Sequence, residues 1–296
     1  MRPASPVSVR TTTVRRLVIA SAAGLALAGT VGGVTEAAPA RPAPGALAAA
    51  VGRAEAVARK EGVDASITVL DRTTGASARS ADAGRQYMTA SLVKVMIADD
   101  ILTRREQGRV FLGSSDMASL KLMVTRSDDL AADLFWQRGG GEAIVERIAA
   151  RYGLRNTRPN GRWDLTLTTT PDLVSLYNQI VSGRRTSPKV RDFLVGAMRG
   201  FQPTGTDGEN QTFGLPQTLS REKTAGFKQG WMPMADGTWV HNTTAIVGPG
   251  NRYIVAVMAV QPAPKGEAPT VASLNRVTDA MFPTGRIGAA RVVPKQ

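Results

Sequence analysis

The hydrophobic and polar positions at the start of the chain alternate between helical and extended periods. Residues 46–60 repeat apolar positions with a helical period, which predicts an amphipathic helix. Residues 65–71 alternate apolar and polar side chains like a strand, and Gly75 then predicts a turn into a second short strand. Residues 91–105 are apolar on most faces, which predicts a buried helix.

The rest of the pattern changes from helical to extended. Residues 116–177 predict mostly helices, interrupted by the glycines at 139–141 and by a loop over 158–171. Asp236 and Gly237 predict a two-residue turn between two of the later strands. The predicted C-terminal elements are strands over 224–232, 238–247 and 253–260, followed by a closing helix over 271–281.

This order of elements predicts an α/β (α+β) fold. Strands near both ends of the chain predict an antiparallel sheet that is flanked by helices, and the helices between them predict an inserted all-helical lobe. We expect one domain over 46–283, preceded by a linker at 41–45 and followed by a basic tail over 284–296.

The first forty residues have the pattern of a secretory signal peptide. Arg15 and Arg16 precede an uncharged apolar run over 17–33, and a small-x-small cleavage site follows at 38–40. The arginine pair also fits a twin-arginine signal. The alternative is a membrane anchor, because the run is nearly long enough to span a bilayer. We expect a secreted protein, extracellular or associated with the cell wall, and no lipoprotein, since no cysteine follows the run.

The amino-acid composition limits the kinds of catalytic site, metal site and partner that the chain can have. The sequence has no cysteine and one histidine, which excludes disulfides and thiolate sites and disfavours a histidine-rich metal site or a Ser-His-Asp triad. The net charge of +13 predicts attraction to anionic surfaces such as cell-wall polymers. Only 5% of residues are aromatic and no basic run is interleaved with them, so we expect no nucleic-acid partner. We expect a monomer without metal or cofactor.

Candidate chemistry begins with Ser91 and Lys94 at the head of the predicted buried helix. Three residues apart on a helix, both side chains lie on one face. A lysine inside an apolar helix, near the positive end of the helix dipole, has its charged form disfavoured and can serve as the base for a serine hydroxyl. The alternative is that Ser91 caps the helix and Lys94 extends to solvent. Ser220 and Lys223 share the spacing, but they lie among charges before a strand.

Two further motifs follow along the chain. Ser127, in Ser-Asp-Asp at a predicted helix start, offers a second hydroxyl for passing a proton to a leaving group; the alternative is an ordinary helix cap. Lys228 and Gly230, in Lys-Gln-Gly on a predicted strand, offer a positive charge for a substrate carboxylate and room for a substrate against the strand edge. The alternative is an exposed lysine beside a turn.

Taken together, these motifs resemble the Ser-x-x-Lys, Ser-Asp-x and Lys-x-Gly motifs of class A β-lactamases and penicillin-binding proteins. The phrases at 67–71, 168–171 and 245–249 are also similar to that family, and the resemblance extends over about 46–281. It implies a cleft between the sheet and the helical lobe. It further implies that the substrate is a small-molecule β-lactam or a peptidoglycan peptide.

The resemblance assigns a role to each motif. It implies that Ser91 is the nucleophile, Lys94 its base and Ser127 a proton relay, with Lys228 receiving a substrate carboxylate. The strand after Lys-x-Gly often carries a cation in this family, and the matching position here is His241. A two-residue turn would pair Met232 with His241 and place the histidine on the face of Lys228. The alternative is a half-buried strand histidine.

The sequence departs from the family at three positions. In the loop before Thr-Thr-Thr-Pro, the family's deacylating glutamate is missing and the only acid is Asp164. We expect Asp164 to brace the loop, and the alternative is a deacylating role. Asp129 replaces the usual asparagine in the second motif, so it accepts hydrogen bonds where an amide donates, and it also offers an ion pair to Lys94. Gln229 replaces the usual Thr or Ser of the third motif.

The expected activity is that of an exported serine hydrolase, which transfers the acyl group of a β-lactam amide through a Ser91 acyl-enzyme. One alternative is a D-Ala-D-Ala carboxypeptidase or penicillin-binding protein. The other is a non-catalytic cell-wall binding protein that has kept the cleft and lost turnover.

Overall fold

A computed structural model describes residues 45–264 and 266–287. The predicted signal peptide (1–40) lies outside the described residues, as do residues 41–44 of the predicted linker and residues 288–296 of the predicted tail. In the described part of the chain, no helix combines the length and the apolar character needed to cross a bilayer.

The secondary structure follows the predicted succession of strands, helices and strands. The helices are α1 (Ala46–Glu61), α2 (Val93–Glu106), α3 (Ser114–Thr125), α4 (Asp129–Gly139), α5 (Ala143–Tyr152), α6 (Thr170–Ser182), α7 (Pro188–Arg199), α8 (Leu215–Thr218) and α9 (Glu267–Met281). The strands are β1 (Asp64–Asp71), β2 (Ser77–Arg79), β3 (Tyr87–Met88), β4 (Leu167–Thr168), β5 (Ala225–Pro233), β6 (Thr238–Val247) and β7 (Tyr253–Pro262).

Within the described residues, the central sheet has five strands in the spatial order β2-β1-β7-β6-β5, and every neighbouring pair is antiparallel. One face packs on α1 and α9, with a core that includes Ala54, Val257 and Leu274. The other face packs on the helical lobe, whose core includes Met96 and Met258. The predicted α/β fold class, with N- and C-terminal strands in one sheet and helices inserted between them, is therefore confirmed.

Helix α2 runs through the middle of the helical lobe. Its residues from Val93 to Leu102 are all buried, so it carries apolar side chains on every face rather than a stripe. A short 3-10 helix, Ala90–Leu92, leads into it and contacts β5 and β6. The start of α2 is therefore fixed between the lobe and the sheet.

The predicted two-residue turn between β5 and β6 is wrong. The N–H of Met234 donates to the carbonyl of Thr238 at 2.8 Å, so the loop contains three residues, 235–237. Gly237 takes the left-handed conformation (φ 80°) that such a loop needs in its last position. One extra loop residue moves the register by one, so Trp231 rather than Met232 pairs with His241.

Candidate active site

Ser91 lies at the junction of β3 and α2, on a backbone that other residues hold in place. Ala90 before it has a left-handed conformation (φ 44°), which costs free energy for a residue with a side chain. The Asn242 amide donates to the carbonyls of Met88 at 2.9 Å and Thr89 at 3.1 Å, just before this strained residue. Strand β6 therefore stabilises the backbone that presents Ser91.

Gly230 brings the edge strand β5 against the same backbone. A Cβ atom at Gly230 would lie 2.6 Å from the carbonyl oxygen of Thr89 and 3.0 Å from the nitrogen of Ser91. No side chain fits at these distances, so glycine is required here for close approach. The structure therefore brings Gly230 and Ser91 together.

Lys94 is fully buried, so the alternative in which it extends to solvent is wrong. Its amine donates to the carbonyl of Ser127 at 2.7 Å and forms an ion pair with Asp129. Among the described residues, neither hydrogen bond of this amine goes to Ser91. The ring centroid of Trp163 lies 4.6 Å from the amine. Burial lowers the pKa of Lys94 below its usual value, and the charge of Asp129 opposes that shift.

Ser127 does not cap helix α4. The Asp128 side chain accepts the N–H of Ala131 at 2.7 Å and caps the helix instead. Ser127 itself has a left-handed backbone (φ 54°), and its hydroxyl accepts a hydrogen bond from Lys228. The two residues of the second motif therefore have different roles. Asp128 caps the helix, and the Ser127 hydroxyl remains available to bond with Lys228.

Lys228 is also fully buried, which excludes the alternative of an exposed lysine. Its amine donates to the hydroxyl of Ser127 and to the carbonyl of Gln229 at 2.9 Å. Burial, together with the charge of Lys94, lowers the pKa of Lys228 well below its usual value, while Asp129 opposes the shift. Ser127 therefore connects two buried lysines whose charged forms are both disfavoured.

The loop before α6 places Asp164 and Trp163 differently. The Asp164 carboxylate pairs through both oxygens with Arg162, the contact expected of a bracing residue. Trp163 turns towards the site, and its indole N–H donates to Asp133 at 2.7 Å while its ring covers Lys94. Trp163 was not singled out by the sequence, where the one available signal is its position next to the only acid of the loop.

His241 does not join the site. Residues on a strand alternate between faces, and the observed register places His241 beside Gln229 and Trp231 rather than beside Lys228. The expectation that it lies near the lysine fails because the loop before β6 has three residues. Asn242, its neighbour on the strand, takes the position facing Ser91 instead.

The His241 ring is buried on the far side of the sheet. It stacks on Trp239 with centroids 5.5 Å apart and meets Phe213 edge-on at 5.4 Å. Its Nε2 lies 3.2 Å from a carboxylate oxygen of Glu267. Burial lowers the pKa of His241 to about 4. The histidine therefore packs in the core between β6 and the start of α9.

Asp207 is a further group near the lysines that the sequence did not indicate. It lies in a tight loop that the Arg126 side chain holds by donating to the carbonyls of Thr204 at 3.2 Å and Gly205 at 3.0 Å. The charge of Asp207 raises the pKa of Lys94, against the effect of burial. Its sequence neighbourhood carries no catalytic motif, so only the docking of this loop reveals it.

Comparisons with known proteins show which family the chain resembles. The sequence model of the beta-lactamase enzyme family matches residues 118–282. The protein named "Putative lipoprotein LppW" in Mycobacterium tuberculosis strain H37Rv is 39% identical over 246 residues, which cover 82% of this chain and 77% of that protein. The Mycobacterium bovis protein of the same name has the same identity and coverage.

Solved structures share the fold. A β-lactamase from Xanthomonas campestris pv. campestris superposes with a TM-score of 0.65 at 19% identity, over 80% of this chain and 98% of that one. A β-lactamase from Chitinophaga pinensis gives a TM-score of 0.66 at 14% identity, over 80% and 99% of the two chains. A variant of the last common ancestor of Gram-negative class A β-lactamases gives 0.63 at 20% identity, over 79% and 97%.

Proposed function

The chain belongs to the beta-lactamase enzyme family, and from this premise we propose that it is a serine acyl-transfer enzyme that opens β-lactam amides through Ser91. One observation carries the proposal. Lys94, three residues after Ser91, and Lys228 are both buried and donate to the carbonyl and to the hydroxyl of Ser127 respectively, while the only histidine of the sequence lies elsewhere. Lys94, a buried amine whose pKa is lowered by burial, supplies the proton acceptor that a serine nucleophile needs.

Acylation begins with transfer of the Ser91 hydroxyl proton to the neutral amine of Lys94. The serine oxygen then bonds to the carbonyl carbon of the lactam, and the negative charge develops on the carbonyl oxygen. The N–H of Ser91 and an N–H of β5 near Gly230 are the proposed donors to that oxygen, since the two backbones approach each other closely there.

The tetrahedral intermediate collapses by breaking the carbon–nitrogen bond of the lactam. Ser127 gives its hydroxyl proton to the leaving nitrogen and recovers one from Lys94, which lies against Ser127 and thereby gives up the proton that it took from Ser91. Lys228 holds the Ser127 hydroxyl in position by donating to it, and its amine is the proposed hydrogen-bond donor to a substrate carboxylate. The product of these steps is an ester between the opened β-lactam and Ser91.

We further propose that water removes this ester slowly. Asp164, the only acid of the loop, is already paired with Arg162, and Trp163 covers Lys94 on the side of that loop. No carboxylate in this loop is thus free to activate water. These contacts favour a penicillin-binding protein or D-Ala-D-Ala carboxypeptidase type of behaviour over rapid β-lactam hydrolysis.

The intact mass of the mature protein, followed over time with benzylpenicillin, tests both steps. We expect a mass increase of one penicillin that persists, while Ser91→Ala shows no increase. An adduct that decays quickly with loss of the drug would overturn slow deacylation and leave acylation in place. If neither adduct nor Ser91-dependent loss of drug occurs, the acyl-transfer proposal fails, and a non-catalytic wall-binding protein takes its place.

We also propose that the protein works outside the cytoplasmic membrane as a monomer. The predicted signal peptide supports export, and the name of the mycobacterial relatives describes them as lipoproteins. The sequence of this chain contains no cysteine to carry a lipid, so we propose a secreted or wall-associated form. Its net charge of +13 supports attraction to anionic cell-wall polymers.

A further inference from the structure

Asp129 is fixed at one carboxylate oxygen and open at the other. It lies in the first turn of α4, where its Oδ1 accepts from the buried amine of Lys94. Its side chain is nevertheless 64% exposed, and among the described residues Oδ2 accepts no hydrogen bond. An acceptor that Lys94 holds in place is therefore open to solvent, one hydrogen bond from the lysine that follows Ser91 by three residues.

The chemistry of this open oxygen differs from that of an amide. An ionised carboxylate accepts hydrogen bonds and donates none, so it repels a carbonyl oxygen or an anion placed against it. An ammonium group makes a charge-assisted hydrogen bond with the same oxygen, about twice as strong as a neutral one. The open side of Asp129 therefore distinguishes substrates by the charge of the group that meets it.

The surrounding charges do not cancel this effect. Asp128 and Asp207 act on Lys94 in the same direction as Asp129, since the charge of each raises the pKa of that lysine. Lys94 and Lys228 are buried and their charged forms are disfavoured. The nearby guanidinium of Arg162 is paired with Asp164, which raises its pKa, and the charges of Asp133 and Asp129 act in the same direction. The exposed part of the site is thus acidic, although the whole chain carries +13.

We propose that Asp129 makes the site select acyl donors that carry an ammonium group on the acyl side, next to the scissile carbonyl. Ser127 and Lys228 take the leaving-group side in the proposed mechanism, which leaves the acyl side to Asp129. The inference rests on the proposed function and adds a substrate class to it: amine-bearing β-lactams, or peptides with a free amine near the bond that is broken.

Three penicillins that differ at one carbon test the proposal. Benzylpenicillin, ampicillin and carbenicillin carry hydrogen, an amine and a carboxylate at the same position of one side chain. The rate of adduct formation is measured by intact mass at pH about 6.5, where an α-amino group, with a pKa of about 7.7–8, is protonated. We expect ampicillin to acylate the protein about tenfold faster than benzylpenicillin, and carbenicillin to be the slowest.

Asp129→Asn should bring the ampicillin-to-benzylpenicillin ratio close to one. The substitution also changes the environment of Lys94, but that change acts on all three drugs, so the ratio isolates the contact with the substrate. Asp133→Asn is the matched control, one turn further along α4, where an asparagine oxygen still accepts the Trp163 N–H. It should leave the ratio unchanged. Equal acylation rates in the unmodified protein would overturn the inference while leaving the acyl-transfer proposal in place.

Binding to Ser91→Ala, followed by NMR titration with the same three drugs, separates specificity from chemistry. If the unmodified protein forms no adduct, the acyl-transfer proposal fails, and tighter binding of ampicillin that Asp129→Asn abolishes keeps the inference as a binding preference. Equal binding of the three drugs, or no binding, would overturn the inference that Asp129 selects an ammonium group.

Discussion

Helix α2 has buried charged side chains in two regions, and the two regions differ in how completely these charges are paired. Near the middle of the helix, Asp100 receives two hydrogen bonds from the guanidinium of Arg147, at 2.9 and 2.6 Å, and Arg151 contacts Asp99 at 3.4 Å. In this region each carboxylate has an arginine from α5. The aspartates therefore connect two helices of the lobe through matched charges.

The start of the same helix has an excess of buried amines. Lys94 and Lys228 share the Ser127 residue between them, and the carboxylate of Asp129 pairs with only one of the two lysines. Burial lowers both pKa values and the single carboxylate of Asp129 only partly opposes this, a perturbation that is typical of functional sites. The comparison indicates that the middle of α2 holds the lobe together, and it supports the proposal that the start of α2 carries the chemistry.

Lys94→Met should have the largest effect. Removing the proposed base should reduce the acylation rate by about a hundredfold to ten-thousandfold. Methionine fills a similar volume without a charge to bury, so the midpoint of thermal unfolding should stay within a few degrees of that of the unmodified protein. Penicillin adduct rates and thermal unfolding measure the two quantities. A large loss of stability at unchanged acylation would reverse the roles assigned to the two regions.

Asp100→Asn should show the opposite pattern. Breaking this buried ion pair leaves Arg147 without its carboxylate and should lower the free energy of unfolding by about 3 kcal/mol. Acylation per folded molecule should stay the same, because Asp100 is remote from the lysines in the proposed mechanism. Asp192→Asn is the control, since its pair with Arg191 is exposed and should contribute less than about 1 kcal/mol. Denaturant unfolding of both variants checks the difference.

Asp99→Asn tests how the middle region of α2 makes the stability of the protein depend on pH. Burial raises the pKa of Asp99 to about 6, and its Oδ2 has no hydrogen-bond partner among the described residues. A carboxyl group whose pKa is raised on folding favours the folded state below its ordinary pKa of about 3.9. This contribution is lost as the pH rises through 6. The unmodified protein should therefore lose stability relative to Asp99→Asn between pH 4 and 7, by on the order of 3 kcal/mol. Thermal unfolding of both proteins across this range measures it, and parallel curves would contradict the shift.

Much of the fold was predictable from local patterns. The strand over 238–247 has the predicted bounds, and the buried helix at 91–105 is present, although its first turn is a 3-10 helix. Helix α7 was missed, although its signals are in the sequence: Ser187 caps it and a proline occupies its first position. Local capping and periodicity are properties of neighbouring residues, so they can be recognised without the tertiary structure.

The site was predictable where its residues are close along the chain. Ser91 and Lys94 share a helix face because they are three residues apart, and that placement needs no other part of the fold. The position of His241 was not predictable, because a single extra residue in the loop at 235–237 turns the whole strand over. A turn of two residues and one of three fit the same Asp-Gly sequence, and only the pairing of complete strands selects between them.

The amino-acid pattern alone indicates the elements, their order, and a serine and a lysine on one buried helix. Only the folded chain brings Lys228, over a hundred residues along the sequence, to the hydroxyl of Ser127, and covers Lys94 with Trp163. The physical reason is the distance along the chain over which each interaction acts. Helical periodicity and capping act over a few residues, whereas burial of an amine, and with it the lowered pKa that chemistry needs, depends on packing between distant parts of the chain.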